Sequence, residues 1–263
     1  MKAGVTKHIQ MKVVNVLFSA FLVLFTISSC QKEITGEIIT DENSSSSTNK
    51  VKTFTEELTA GANHQIETLN ISYDANGRVI SMISALDPGN KFVYQYNTDN
   101  TYTMDIYNAG VVDIHALFFL NSFSLVDSSV QQNSTSDTHS EKYIYNADKQ
   151  LVTLKEYEET PSGMILQQTY DYTYDSYGNV ITETDNTNTV TTYDYHTDLA
   201  NTITLGNVYL PHNPNLTKTT TVTSGGVTEV LNHTYTFDSE NRVTSEKIEA
   251  ANGEVVTRSY TYY

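Results

Sequence analysis

From about Gln65 to Tyr263 apolar and polar side chains alternate at a spacing of two, and long helical periodicity is absent. Such alternation sends successive side chains to opposite faces of an extended strand. Tyr and Thr recur throughout the stretch, and both suit a pleated, half-buried surface. The pattern predicts an all-β chain. Val51 to Leu58 (VKTFTEEL) fits a first strand or a short helix equally well.

Within this texture one short unit repeats. An aromatic or aliphatic residue, any residue, an aromatic and then Asp, Asn or His recurs at Ile71–Asp74, Tyr94–Asn97, Tyr143–Asn146, Tyr172–Asp175, Tyr193–His196 and Tyr235–Asp238. Tyr260-Thr261-Tyr262 ends the chain like a shortened seventh copy. The long intervals predict degenerate units around Phe123 to Val130 and around Val222 to Val227.

The chemistry of the unit predicts its conformation. Tyr172 and Tyr174 share one face of a strand, while Asp175 opens a turn by accepting from backbone N–H groups. Four residues past the second aromatic stand Gly77, Asn100, Lys149, Gly178, Leu199 and Asn241, mostly types that tolerate a left-handed φ. Asp74-Ala75-Asn76-Gly77 thus reads as a type I turn closing on a glycine bulge. One unit is one hairpin. Further turn clusters fall between the copies, among them Asp87-Pro88-Gly89, Pro161-Ser162-Gly163, Ser224-Gly225-Gly226 and Ala251-Asn252-Gly253. About 200 residues at this cadence give on the order of 16 strands. An antiparallel β-meander that large is expected to roll into a sandwich or barrel-like form.

The first 29 residues differ in kind. Lys2, Lys7 and Lys12 precede a short apolar run, Val13 to Ser29, which ends in Ile27-Ser28-Ser29-Cys30. A basic start, an apolar middle and a small-residue exit describe a secretory signal peptide, too short for a spanning helix. The tetrapeptide resembles the lipobox of bacterial lipoproteins, which implies cleavage before Cys30 and lipidation of its thiol. Cys30 is the chain's one cysteine, so no disulfide can form within it. Residues 30–62, with Asp41-Glu42-Asn43 and Ser44 to Ser47, read as a flexible tether. Residues 63–263 form the β-meander domain.

Losing the leader leaves all 31 acidic residues and removes three of the 15 basic ones. So acidic a surface argues against nucleic acid and against electrostatic attraction to anionic head groups. Membrane association would come from acyl chains on Cys30. Gln31 follows the cysteine, which favours delivery to the outer membrane.

Tyr73-Asp74-Ala75-Asn76-Gly77-Arg78-Val79 and Tyr172-Thr173-Tyr174-Asp175-Ser176-Tyr177-Gly178-Asn179-Val180 resemble the YD repeats of Rhs-type proteins. With the lipobox, the chain resembles a family of bacterial envelope lipoproteins of unknown function described as having a porin-like fold. The resemblance covers about Leu69 to Tyr263 and implies an antiparallel meander rolled toward a barrel, and no activity. A membrane-spanning pore is not expected. Lipid-facing strands need an apolar side, whereas Thr189 to Thr197 and Thr217 to Thr223 set Thr, Ser, Asp and Asn against Tyr.

Candidate chemistry is sparse. Ser224 lacks a nucleophile-elbow context, and His64, His115, His139, His196, His212 and His233 show no metal-ligand spacing, so no metal or cofactor is expected. The turn acids Asp74, Asp175 and Asp238 are expected to cap turns rather than hold Ca²⁺. Glu183 and Asp185 could share a strand face as a glycosidase pair would. Tyr172, Tyr174, Tyr193 and Tyr195 are either a core ladder or an exposed stacking surface for sugar rings. The expectation is a non-catalytic envelope lipoprotein whose β-repeat domain is a scaffold or binding module, with a glycan or an envelope protein as partner. Two alternatives stay open: a glycan-active hydrolase using paired carboxylates, and a subunit of a surface assembly.

Overall fold

The computed structural model describes residues 50–134, 137–203, 205, 209, 210 and 212–263. The signal peptide, Cys30 and most of the expected tether lie outside them. Sixteen strands follow one another in chain order. They are β1 (Val51–Ala60), β2 (Asn63–Tyr73), β3 (Val79–Ser84), β4 (Lys91–Tyr96), β5 (Thr101–Asn108) and β6 (Val111–Leu120). There follow β7 (Val126–Asn133), β8 (Thr138–Tyr145), β9 (Leu151–Thr160), β10 (Gly163–Tyr174) and β11 (Val180–Asp185). The rest are β12 (Val190–Ala200), β13 (Asn215–Ser224), β14 (Val227–Phe237), β15 (Val243–Ala250) and β16 (Val255–Tyr262). Each pairs antiparallel with its neighbours in sequence, and β1 pairs with β16 to close the barrel. Val51 to Leu58 is therefore a strand, and the folded domain starts about a dozen residues before the expected boundary at residue 63. The sequence left this segment undecided because its apolar face is interrupted by Glu56.

Closure decides which face goes inside. Phe54, Leu69, Ile71, Met82, Phe92, Tyr102, Tyr143, Leu154, Tyr172 and Tyr260 are buried. Their cross-strand partners fall on the same face, as in Phe54 opposite Leu69 and Tyr102 opposite Phe118. The alternate residues face out, and they are largely polar: Thr53, Thr55, Thr173, Thr182, Thr219 and Thr236. Threonine hydroxyls meet across the outer wall, Thr55 with Thr68 at 2.9 Å and Thr236 with Thr244 at 2.9 Å. An apolar interior beneath a polar wall is the reverse of a lipid-facing barrel.

The repeat unit builds one rim. Asp175 Oδ1 accepts from the amides of Tyr177 and Asn179 at 2.9 and 2.8 Å, and Gly178 N donates to Asp175 O at 3.2 Å. Asp74 and Asp238 do the same, as does Asn146 with its amide oxygen. The residue closing each turn is left-handed: Gly77 at φ 80°, Gly178 at 91°, Asn100 at 60°, Asn241 at 58° and Lys149 at 62°. The degenerate unit near Phe123 is real, an Asn121-opened turn with Ser124 at φ 59°.

The other proposed degenerate unit is not there. Ser224 to Val227 is a tight hairpin on the opposite rim, and the long interval arises elsewhere. After Tyr195, His196 replaces the turn-opening Asp and Leu199 stands in the left-handed slot. The strand runs on to Ala200, and a long connection, residues 201–214, precedes β13.

The last aromatic of each unit also stitches hairpins together. Tyr73, Tyr96, Tyr145, Tyr174, Tyr195 and Tyr262 donate their hydroxyls to the carbonyls of Val51, Val79, Val126, Leu151, Val180 and Val243, at 2.6–2.8 Å. Each acceptor is the first residue of the preceding strand. In β14 the final position is Phe237, so Tyr235 takes the role and reaches Thr217 O at 2.8 Å.

Ile203, Leu205, Tyr209 and Leu210, from the connection between β12 and β13, fill this rim. Ile203, Leu205 and Leu210 are buried, and the Tyr209 ring meets Tyr96 and Tyr102 on the far wall at 6.0 and 5.4 Å. The amides of Val126 and Val180 donate to Tyr209 O and Asn213 Oδ1.

Left-handed φ is costly for a residue with a Cβ, about 1–2 kcal/mol. Gly178→Ala is expected to lose about that much stability, whereas Lys149→Gly, relieving the same strain, is expected to gain up to about 1 kcal/mol. Urea unfolding of both variants checks the opposite signs.

Candidate functional site

Polar groups concentrate inside the barrel on the half away from the plug. A single register level runs across four strand pairs: Glu67 on β2 opposite Glu56 on β1, Glu56 opposite Arg258 on β16, Arg258 opposite Glu246 on β15, and Glu246 opposite Tyr235 on β14. Arg258 Nε donates to Glu56 Oε2 at 2.9 Å and Nη1 to Glu246 Oε2 at 3.2 Å. His233 Nδ1 lies 2.9 Å from Glu246 Oε1, and its Nε2 lies 3.0 Å from the Thr220 hydroxyl. Burial alone would raise the Glu246 carboxyl. The His233 hydrogen bond and the Arg258 charge outweigh it and hold the group at about 2. Glu246 is therefore an ionised anion with both carboxylate oxygens partnered.

Tyr235, Glu246 and Arg258 of this row, with His233, line one wall of a cavity of about 410 Å³ whose inner end meets Asn201, Ile203 and Asn213. Its sides carry Leu58, Leu231, Ile248 and Val256, and Glu229 and Glu254 stand where it meets the rim. Those two glutamates are exposed while Thr220, Glu246 and Tyr260 are buried, so the cavity opens at the tight-hairpin rim. A second cavity of about 210 Å³ adjoins it across β1, sharing Leu58 and lined by Glu56, Gln65, Glu67, Leu69 and Phe92.

Another acidic pair sits on the facing wall, where Glu141 on β8 is opposite Glu156 on β9. Glu141 Oε2 accepts from Ser129 and Tyr143 at 2.7 and 2.6 Å. Glu156 is raised to about 7, first by burial and then by the Glu141 charge.

Most residues singled out by sequence are placed differently from a surface site. Tyr172 is buried at 9% exposure, and Tyr174 and Tyr195 spend their hydroxyls on strand carbonyls. Tyr193 faces inward, is hydrogen-bonded to Glu183, and borders the larger cavity. Of the two readings of these tyrosines, the inward core ladder is the one found, because closure turns the aromatic face inside. Glu183 and Asp185 lie on one face of β11, where burial and then the Asp185 charge raise the Glu183 carboxyl. Asp185 Oδ1 accepts from the amides of Thr187 and Thr189, both at 2.8 Å, and so caps the β11–β12 turn. Closure leaves no free edge strand among the described residues, while the Thr-rich faces, the other contact a surface assembly would use, lie on the outer wall. The polar groups that do line the two cavities, Glu246 and Arg258 in the larger and Glu56, Gln65 and Glu67 in the smaller, went unnoticed. Charged residues at inward alternates of an apolar strand were their signal, readable only once β1 is paired with β16.

With the geometry described, two solved structures bear comparison. A porin-like protein from Bacteroides uniformis superposes with TM-score 0.63 at 14% identity, covering 82% of this chain and 99% of that one. A porin-like protein from Bacteroides vulgatus gives TM-score 0.59 at 15% identity, covering 81% and 98%. The fold is porin-like. At that identity the likeness concerns the fold alone. No protein-family model and no curated protein sequence matches the chain.

The raised Glu156 carboxyl makes a pH prediction. Between the ordinary 4.5 and about 7 the folded chain holds a proton that the unfolded chain releases, so this group's contribution to stability falls as pH rises. Glu156→Gln, which mimics the protonated acid, is expected to melt above the parent at pH 8 and level with it at pH 5. Circular dichroism melts at both pH values test the difference.

Proposed function

We propose that this chain is a non-catalytic cell-envelope binding protein, a lipid-anchored barrel that takes a small ligand into its open mouth. The observation that carries the reading is the asymmetry of the lumen. One end is filled by Ile203, Leu205, Tyr209 and Leu210 beside the tyrosine-stitched rim, and from Asn201, Ile203 and Asn213 a cavity of about 410 Å³ with mixed polar and apolar walls runs to Glu229 and Glu254 at the other. A through-pore needs both ends open and a continuous apolar outer band; the rings and aliphatic side chains filling one end and the threonines of the outer wall favour a closed-ended binding barrel instead. A preformed concave site with few convergent polar groups is the usual form of a ligand pocket.

The proposed anchor fits this arrangement. Lipidation at Cys30 and outer-membrane delivery rest on the lipobox and on Gln31. β1 starts at the plugged rim, next to Tyr73, so an anchored chain enters the barrel from that end. The mouth then points away from the membrane. A glycan held on exposed tyrosines loses its surface here, and a ligand inside the mouth replaces it.

The full-length chain is expected to give no channel conductance in planar bilayers and to bind the neutral apolar dye Nile red at one site. Ala250→Trp, which fills the mouth, is expected to weaken the dye at least tenfold, on the order of 1.4 kcal/mol. Stepwise conductance, or dye binding indifferent to that substitution, would contradict the reading.

A further inference from the structure

Three inward side chains on consecutive strands join end to end in the wall of the larger cavity. Thr220 stands on β13, His233 on β14 and Glu246 on β15, and all three line it. The Thr220 hydroxyl lies 3.0 Å from His233 Nε2, and His233 Nδ1 lies 2.9 Å from Glu246 Oε1. An ionised carboxylate only accepts, so His233 donates its Nδ1–H to Glu246. In the neutral ring Nε2 then carries the lone pair, and the Thr220 hydroxyl donates to it. Glu246 is itself held at both oxygens, by the Tyr235 hydroxyl at 3.0 Å and by Arg258 Nη1 at 3.2 Å, and this fixes the orientation of the ring. A hydroxyl, an imidazole and an orienting carboxylate in that order are the parts of an activated nucleophile.

What surrounds the hydroxyl limits its chemistry. Thr220 pairs on both sides, with Tyr193 of β12 and Leu231 of β14, so the amides around it are committed to the sheet ladder. A tetrahedral oxyanion formed there meets no free amide of these strands, and a missing oxyanion donor costs roughly 10²–10³ in rate. Only an acyl group with a good leaving group reacts under that handicap. The ester then left on Thr220 has an alkoxide as its leaving group, and it persists. Leu231, Ile248 and Val256 offer the acyl chain an apolar bed, whereas Glu229 and Glu254 at the mouth repel anions. A small, neutral acyl donor fits.

We infer that Thr220 is an acylation site, whose hydroxyl takes one acyl group from a neutral aryl ester or thioester held in the larger cavity. Thr220 Oγ1 attacks the acyl carbon while its proton passes to His233 Nε2. The bond from that carbon to the leaving oxygen or sulfur breaks, and the departing phenol or thiol takes the proton back from Nε2. One ester forms as another ester or thioester is cleaved, so neither an oxidant nor a second reactant is needed. Glu246 acts as a positioning residue through His233. The inference goes beyond the binding-barrel reading and rests on its open cavity. With one event per chain, the barrel stays non-catalytic.

Treating the full-length chain with p-nitrophenyl butyrate at pH 8 tests this, read by intact and peptide mass spectrometry and by nitrophenolate absorbance, with Nile red binding measured alongside. The expected result is one butyryl group per chain, on Thr220, matched by one equivalent of nitrophenolate and no further release above buffer. Thr220→Ser keeps a hydroxyl and is expected to be labelled at position 220, whereas Thr220→Val is not. His233→Gln is expected to slow the labelling at least a hundredfold, since a positioned general base contributes roughly 10²–10⁴. An unlabelled Thr220 overturns the inference, as does labelling that proceeds at the parent rate in His233→Gln. If Nile red binds and Thr220 is not labelled, the acylation site fails and the binding barrel stands. If neither occurs, both fail. Continuous release that Thr220→Val abolishes overturns the single event and the non-catalytic reading together. Should His233→Gln not fold, the labelled position in the parent chain and in Thr220→Ser still decides.

Discussion

A phenol hydroxyl donating to the first carbonyl of the preceding strand is the contact on which the barrel depends. Closing sixteen strands requires each hairpin to hold a fixed stagger against the one before it. A turn alone sets the register within its own hairpin and says nothing about the next. The tyrosine at the end of each unit supplies that second link, reaching from its own turn back across the neighbouring strand, as Tyr174 does to Leu151 O at 2.7 Å. Buried phenols need such partners, and burial raises the Tyr174 and Tyr145 hydroxyls well above their ordinary range. The same side chains thus fill the lumen at one end and fix the register there.

Placing the aromatic face inside has consequences at both ends. Toward the repeat-unit rim the lumen is packed with rings and sealed by the connection that carries Tyr209. Toward the tight-hairpin rim the inward positions change to Glu, Gln, His and Arg, and the packing gives way to two adjoining cavities. Arg258 organises that half, gripping Glu56 and Glu246 on either side. The functional proposal grows from the contrast between the two ends.

Much of this architecture was legible in the residues. The Asp and Asn turn openers, the left-handed Gly178 and Asn241, the strand number and the rolled meander all follow from local chemistry that the repeat states openly. What escaped was non-local. Whether Tyr172 and Tyr195 face a core or a solvent depends on the sheet closing, and closure is made by β1, whose apolar pattern Glu56 interrupts. Leu199 in a slot that wants Gly or Asn announced an abnormal turn, but not that the chain would spend residues 201–214 on a plug. Asp185 looked like half of a carboxylate pair, yet it obeys the same turn rule as Asp74 and Asp175.

Residue-resolved tyrosine nitration, read by mass spectrometry on the folded chain, tests the inward, hydrogen-bonded tyrosine rim most directly. The account predicts rapid modification of Tyr177, which is 64% exposed, and strong protection of Tyr73, Tyr145, Tyr174, Tyr195 and Tyr262 until the barrel is unfolded. Equal reactivity of these five with Tyr177 in the native protein would contradict it.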